Sequence, residues 1–259
     1  MPLSRLRYTR YEMRGPIAIL CLNRPEKRNA ISDTLLADLE TFFSNLPEGA
    51  EAVVIYGEGD HFCAGLDLAE HKERDAYQVM LHSQRWHRAF ERIQFGGLPV
   101  VAAMKGGVIG GGLELATSAH VRVAEPDTFY ALPEGRRGIF VGGGASVRVS
   151  RIVGPDRMCE MMLTGRNYDA EDGQRLGLSH YLVGTGEALP KALELAESIV
   201  RNAQLSNYMM LHAIARIHDM SMSDGLFTES LATALTQTSE DATEGLRAFL
   251  EKRDTQFRK

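Results

Sequence analysis

Short, wholly apolar runs alternating with stretches of helical spacing constrain this chain more than any other feature in it. Ile17–Leu22 is closed by Asn23-Arg24-Pro25 and reads as a buried strand and a turn. Ser32 and Asp33 can cap a helix whose apolar positions (Leu35, Leu36, Leu39, Phe42, Phe43 and Leu46) share one face, and Pro47 stops it. Residues 52–56 form a second strand closed by Gly57, and residues 98–104 a third. Between them a helical stretch begins around Asp67 and runs, with a break, towards Ile93; residues 120–124 and 128–132 complete the strands. From about Gly143 the strand signals fade. A short helix capped by Asp169 is followed by helical spacing over 189–200, 207–217, 226–235 and 242–250. The pattern is an α/β body with a helical tail.

Composition narrows the function classes. Apolar residues make up 44% of the 259 and charged residues 24%, enough for a packed core and against disorder. The formal charge of −5 argues against broad contact with nucleic acid or an anionic membrane surface. No apolar run approaches the ~20 residues of a membrane span, and the opening Met1-Pro2-Leu3-Ser4-Arg5 lacks the apolar stretch of a secretory signal. Cys21, Cys63 and Cys159 are too widely spaced to suggest a disulfide framework or a metal site. A cytoplasmic protein without a metal is the expectation. The Met-rich stretches of the tail (Met158, Met161, Met162; Met209, Met210; Met220, Met222) read equally as core filler or as a subunit interface.

Two glycine-bearing junctions follow strands and precede helices: His61-Phe62-Cys63-Ala64-Gly65-Leu66-Asp67 and Ile109-Gly110-Gly111-Gly112-Leu113-Glu114. Helix N-termini carry unpaired N–H groups and partial positive charge, so two side by side would cradle an oxyanion or phosphate. The plain alternative is a pair of tight turns. Neither junction matches a nucleotide-binding fingerprint. Two carboxylates accompany them. Glu114 is either a dipole-favoured helix acid or a catalytic one; Glu134, after Leu132-Pro133, is either a turn acid partnered by Arg136 or Arg137 or the second member of a proton-sharing pair. Asp67 most simply caps a helix, and Cys63 reads as a small buried filler ahead of a nucleophile. His82 and His87, five apart, are wrongly spaced to share a metal on one helix face.

These segments together resemble the enoyl-CoA hydratase/isomerase family of the crotonase superfamily. The likeness rests on residues 22–30 (LNRPEKRNA), 62–68 (FCAGLDL), 110–116 (GGGLELA), Leu132-Pro133-Glu134, Leu163-Thr164-Gly165 with Gly177-Leu178, and 244–253 (EGLRAFLEKR), in order along almost the whole chain. It implies a spiral of ββα units over 1–195 and a C-terminal helical region over 196–259 that drives homotrimers or homohexamers and completes the CoA site. It further implies an acyl-CoA substrate, with no separate cofactor because coenzyme A belongs to the substrate. By position, the Leu66 and Gly111 amides would form an oxyanion hole, with Glu114 and Glu134 as acid and base for reversible syn hydration of a 2-enoyl-CoA. Arg24, Lys27, Cys63, Ala64, Gly65, Asp67 and Gly110 would border the CoA moiety. Lys252 would reach a neighbouring subunit's CoA phosphate, unless it is only a solvated helix end.

Two departures bear on specificity. After Glu134 the chain reads Gly135-Arg136-Arg137-Gly138-Ile139-Phe140-Val141, where family hydratases carry more apolar residues before the Gly and a proline at Val141. His71 also falls on the helix that roofs the acyl pocket, as a surface histidine or as a contact for a polar or aromatic tail. A hydroxycinnamoyl-CoA hydratase-lyase, an enoyl-CoA isomerase and a non-catalytic RNA- or acyl-CoA-binding protein are the alternatives on this scaffold.

Overall fold

The computed structural model describes residues 3–70 and 73–257. In chain order the strands are β1 (Thr9–Arg14), β2 (Ile17–Leu22), β3 (Ala52–Gly57), β4 (Val100–Met104), β5 (Gly107–Ile109), β6 (Val121–Ala124), β7 (Phe129–Ala131) and β8 (Tyr181–Leu182). The helices are α1 (Asp33–Ser44), α2 (Ala76–Phe95), α3 (Gly111–Ser118), α4 (Ala145–Val153), α5 (Pro155–Thr164), α6 (Ala170–Arg175), α7 (Ala188–Ile199), α8 (Gln204–Ile217), α9 (Met222–Gln237) and α10 (Glu240–Glu251). The main sheet runs β1-β2-β3-β4-β6-β8. Its pairs are parallel except for the β1–β2 hairpin.

The central strands are apolar throughout because both of their faces are covered. Ala18, Leu20, Val53, Ile55, Ala102 and Met104 point into the larger core with α1, α2 and α3. Ile17, Ile19, Val54, Val101 and Val123 point the other way and pack beneath Ala188, Ala192 and Ala196 of α7. The small side chains of α7 let it lie close against the sheet.

Above the main sheet runs a second, narrower parallel layer. Ile31 bridges Leu66, Cys63 bridges Val108, and β5 pairs with β7. The chain thus repeats one sequence of events: a main-sheet strand, a short second-layer stretch, then a helix. This is the α/β spiral that the family resemblance implies. The stretches at residues 63–66 and at β5 run into the two glycine-bearing junctions.

Several elements differ from the sequence expectation. β1 is an edge strand whose pattern is almost wholly exposed, so its charged residues hid it; β8 has two residues and presents too little pattern to detect. No helix begins at Asp67. A short 3₁₀ turn spans Leu68–Glu70, and α2 starts at Ala76 behind a capping box in which Asp75 Oδ1 accepts from Gln78 N (2.8 Å) and Gln78 Oε1 from Asp75 N (3.2 Å). Helices α4 and α5 occupy a stretch with no anticipated element. The division after residue 195 falls inside α7, whose Ala196 is as buried as Ala192. The methionines divide: Met158 and Met161 fill the core, while Met210, Met220 and Met222 are exposed. Among the described residues no helix is long and apolar enough to cross a membrane.

Phe42 is fully buried on α1 and meets Phe43 edge-on with ring centroids 5.1 Å apart. Phe42→Ala should lower the unfolding free energy by about 3–5 kcal/mol, seen as a lower urea midpoint at an unchanged denaturant slope.

Candidate active site

The site begins with the hydrogen-bond pattern of the second layer. Ile31 N donates to Gly65 O (2.7 Å) and Asp67 N to Ile31 O (3.0 Å). Residues on either side of Leu66 therefore face Ile31, and the pleat turns the Leu66 amide to the opposite edge. On that edge lies Gly111, the first residue of α3, whose N–H belongs to the turn that a helix leaves without partners. Neither amide donates to an acceptor among the described residues. They are close neighbours: a Cβ on Gly111 would stand 3.5 Å from Leu66 N.

Glycine is required where the two junctions touch. Gly65 has φ +86°, and a Cβ there would lie 2.5 Å from Ile109 O and 3.0 Å from Gly111 N. Gly110 has φ +52°, and its Cβ would stand 2.7 Å from Glu134 Oε1. Gly110 N donates to Ala131 O (2.8 Å), which ties the junction to β7 and carries Leu132, Pro133 and Glu134 alongside.

The two glutamates are held differently. Glu114, on the first turn of the fully buried α3, accepts at Oε1 from Gly143 N (2.8 Å) and Ala145 N (3.0 Å) at the N-terminus of α4. Burial raises its pKa, and those two N–H bonds oppose the rise. Oε2 has no hydrogen bond among the described residues. Glu134 keeps Oε2 buried with no partner. Burial, with a further push from the Glu114 charge, takes its pKa up to about 7. The Glu114 charge acts on Glu134, so the two acids titrate as a coupled pair.

Leu66, Gly111, Glu114 and Glu134 all line one cavity of about 150 Å³, walled by Trp86, Ile139, Phe140 and Val141. Ser83 Oγ donates to Gly142 O (2.6 Å) and fastens the 139–143 segment to α2. Leu66, Glu134 and Ile139 also line a second cavity of about 300 Å³, which takes in Lys27, Ala64, Asp67 and Gly110. The two cavities meet at Leu66 and Glu134.

Other expected site residues stand elsewhere. Arg24 lines neither cavity; it is buried, donating to Ala30 O (3.1 Å) and paired with Asp67, with its guanidinium over the Tyr8 ring. It holds the loop in shape. Cys63 is fully buried in the second layer, and burial raises its thiol to about 12, which removes it as a nucleophile. Gly65 abuts Gly111 but lines neither cavity, and nor does Lys252, the left-handed C-cap of α10. Asp67, in the wall of the second cavity, caps a turn and not a helix, accepting from Ala69 N (3.0 Å). His71 lies outside the described residues.

The structure also adds residues. Arg137, expected only as a partner of Glu134, lines the second cavity, and Arg74, His82 and Ser83 line the first. The five-residue separation of His82 from His87 excludes a metal pair but not a place for His82 in the cavity wall. The spacing of His82 from Val79, Ser83 and Trp86 puts all four on one face of α2, a signal present in the sequence.

Comparison with known proteins identifies the scaffold. A crystal structure of a provisionally named enoyl-CoA hydratase from Rhodopseudomonas palustris superposes with a TM-score of 0.92 at 50% identity, covering 95% of each chain. The enoyl-CoA hydratase of Mycobacterium smegmatis superposes at 0.92 with 27% identity, over 97% of this chain and 99% of that one. The short-chain-enoyl-CoA hydratase of Clostridium acetobutylicum is 31% identical over 93% of this chain and 94% of its own. The fold is therefore the crotonase fold. The model of the enoyl-CoA hydratase/isomerase family matches residues 12–259, and the chain belongs to that family.

The raised pKa of Glu134 has a defined sign in stability. The folded state holds the proton more tightly than the unfolded chain, so its contribution is fully present below the ordinary carboxyl range and is lost as pH rises to about 7. Thermal melts across pH 4–8 should show this decline in the native protein and a flatter profile in Glu134→Gln.

Proposed function

We propose that the protein catalyses the reversible hydration of a 2-enoyl-CoA to a 3-hydroxyacyl-CoA. The observation that carries this reading is the buried, unpartnered Oε2 of Glu134, in one cavity with Glu114 and two unpaired amides. Family membership and the hydratase names of the relatives support it.

Each group has a task that follows from where charge moves. The thioester oxygen sits between the Leu66 and Gly111 amides, which receive negative charge as water attacks the β-carbon; one such donor is worth about 3–4 kcal/mol in other enzymes. Glu114, whose carboxylate form the α4 amides favour against the opposing effect of burial, takes a proton from the attacking water with its open Oε2. Glu134 holds the proton of the pair and delivers it to the α-carbon. A single water and both acids lie on one side of the substrate, so H and OH add to the same face. The turnover leaves the proton on Glu114 and the charge on Glu134, and a return of the proton resets the pair. Coenzyme A arrives with the substrate, and no further cofactor enters the scheme. The second cavity, with Lys27 and Arg137 on its walls, suits the polar CoA portion.

The exposed apolar face of α9 and α10 supports assembly with further copies of this chain, as a homotrimer or a pair of trimers. Leu226, Phe227, Leu235, Leu246 and Phe249 are each more than half exposed in the isolated chain. Such an assembly brings Lys252 of one copy within reach of a neighbour. Three buried or unpaired cysteines (Cys21, Cys63, Cys159) suit a reducing compartment such as the cytoplasm.

Glu114→Gln and Glu134→Gln should each lower kcat for hydration of crotonyl-CoA by about 10²–10⁴-fold while leaving acyl-CoA binding within a few-fold. With native protein, kcat/KM for hydration should fall as pH rises through about 7, where Glu134 loses its proton. Near-native turnover in either variant defeats the two-acid scheme; mass analysis that finds a shifted double bond in place of added water defeats hydration. Light scattering should give a mass three or six times that of one chain, and a monomer would refute assembly through α9 and α10.

A further inference from the structure

The acyl cavity contains a cation that hydration itself does not need. Its walls along α2 follow one helix face: Trp86 against Gly111, then His82 and Val79 towards the N-terminus. At about 1.5 Å per residue, Val79 lies about 10 Å along the axis from Trp86. Arg74, just before the Asp75 cap, closes this end.

Arg74 is held there. Its Nη2 donates to Asp33 Oδ2 (3.0 Å), and His82 Nε2 donates to Asp33 Oδ1 (2.8 Å). Asp33 sits on the first turn of α1, so two helices fix the cluster. Partial burial raises the Asp33 carboxyl, but the His82 hydrogen bond and the His82 and Arg74 charges outweigh it, and the group stays below its ordinary range. The Arg74 side chain is 15% exposed, and Nη2 is its one nitrogen with a partner among the described residues. Arg74 lines the cavity together with the apolar Val79, Ile139 and Phe140 and, on α2, His82 and Ser83. An alkyl tail reaching this end would strip water from the remaining Arg74 donors and offer nothing in return.

Resting on the hydratase reading above, we infer that this cavity selects acyl groups whose far end carries a hydrogen-bond-accepting oxygen, with Arg74 as donor and Asp33 and His82 positioning it. A carboxylate and a hydroxyl share that chemistry. The carboxylate would add charge attraction to an arginine already half neutralised by Asp33; the hydroxyl would carry no charge into the site.

The test measures kcat/KM of the native enzyme on 2-enoyl-CoAs of increasing chain length, each ending in methyl, hydroxyl or carboxylate. At the length that reaches Arg74, at least one oxygen-bearing chain should exceed its methyl counterpart by about 10- to 100-fold. In Arg74→Met that ratio should collapse towards one. Arg74→Gln, which keeps a neutral donor, should retain part of the hydroxyl preference and lose the carboxylate preference; it also serves if the methionine variant does not fold. Carboxylate ahead of hydroxyl identifies an anionic tail, and the reverse order a neutral one. Equal or better use of methyl-ended chains at every length overturns the inference, as does a preference that survives both substitutions. If crotonyl-CoA is hydrated and no preference appears, this inference alone fails. If no enoyl-CoA is hydrated at all, the hydratase reading fails and takes this one with it.

Discussion

The site depends on two backbone amides that the fold leaves without partners. A parallel ladder uses alternate residues of a strand towards each neighbour, so Ile31 satisfies Gly65 and Asp67 and turns the Leu66 amide away. The helix start at Gly111 leaves a second N–H open beside it. Unpaired buried amides are costly, and proteins avoid them unless something else will pair with them. Two of them, close together in one cavity, make a fixed place for negative charge that no side-chain rotation can undo.

The carboxylates extend this arrangement outward. Glu114 is anchored by the N-terminus of α4, far along the chain from the α3 turn that carries it. Glu134 reaches the same cavity because the Gly110 amide is bonded to Ala131 at the end of β7. One acid is clamped on a single oxygen by two amides and the other keeps a buried oxygen bare, so two chemically identical groups acquire different surroundings and different proposed tasks. The apolar walls matter to both, since burial is the largest influence on each pKa.

Much of this was legible in the residues, but unevenly. The apolar runs of β2, β3 and β4 announced a sheet covered on both faces, and Gly65, Gly110 and Gly111 marked the junctions. Helix α1 was legible to its cap, Ser32 accepting from Leu35 N. β1 was not, because an exposed edge strand carries the charges that elsewhere signal a loop. Arg24 illustrates another limit: an arginine in a loop resembling a substrate-binding segment is instead spent on Asp67 and the loop's own Ala30 carbonyl. Which way a side chain turns depends on partners distant in sequence. His82 failed as a metal ligand by its spacing from His87, yet it joins Asp33, 49 residues away, at the end of the acyl cavity.

The sequence by itself determined the elements and the chemistry available: buried strands, glycine where no Cβ can stand, and two acids at element ends. Local propensity and periodicity reach only across a few residues, and those features need no more. Only the tertiary structure decided which amides stay unpaired, which oxygen of Glu114 is clamped, and that Glu134 is left bare and shielded from water. Hydrogen-bond partners and burial are set by strand register and helix docking across tens of residues, and proton affinity follows from both.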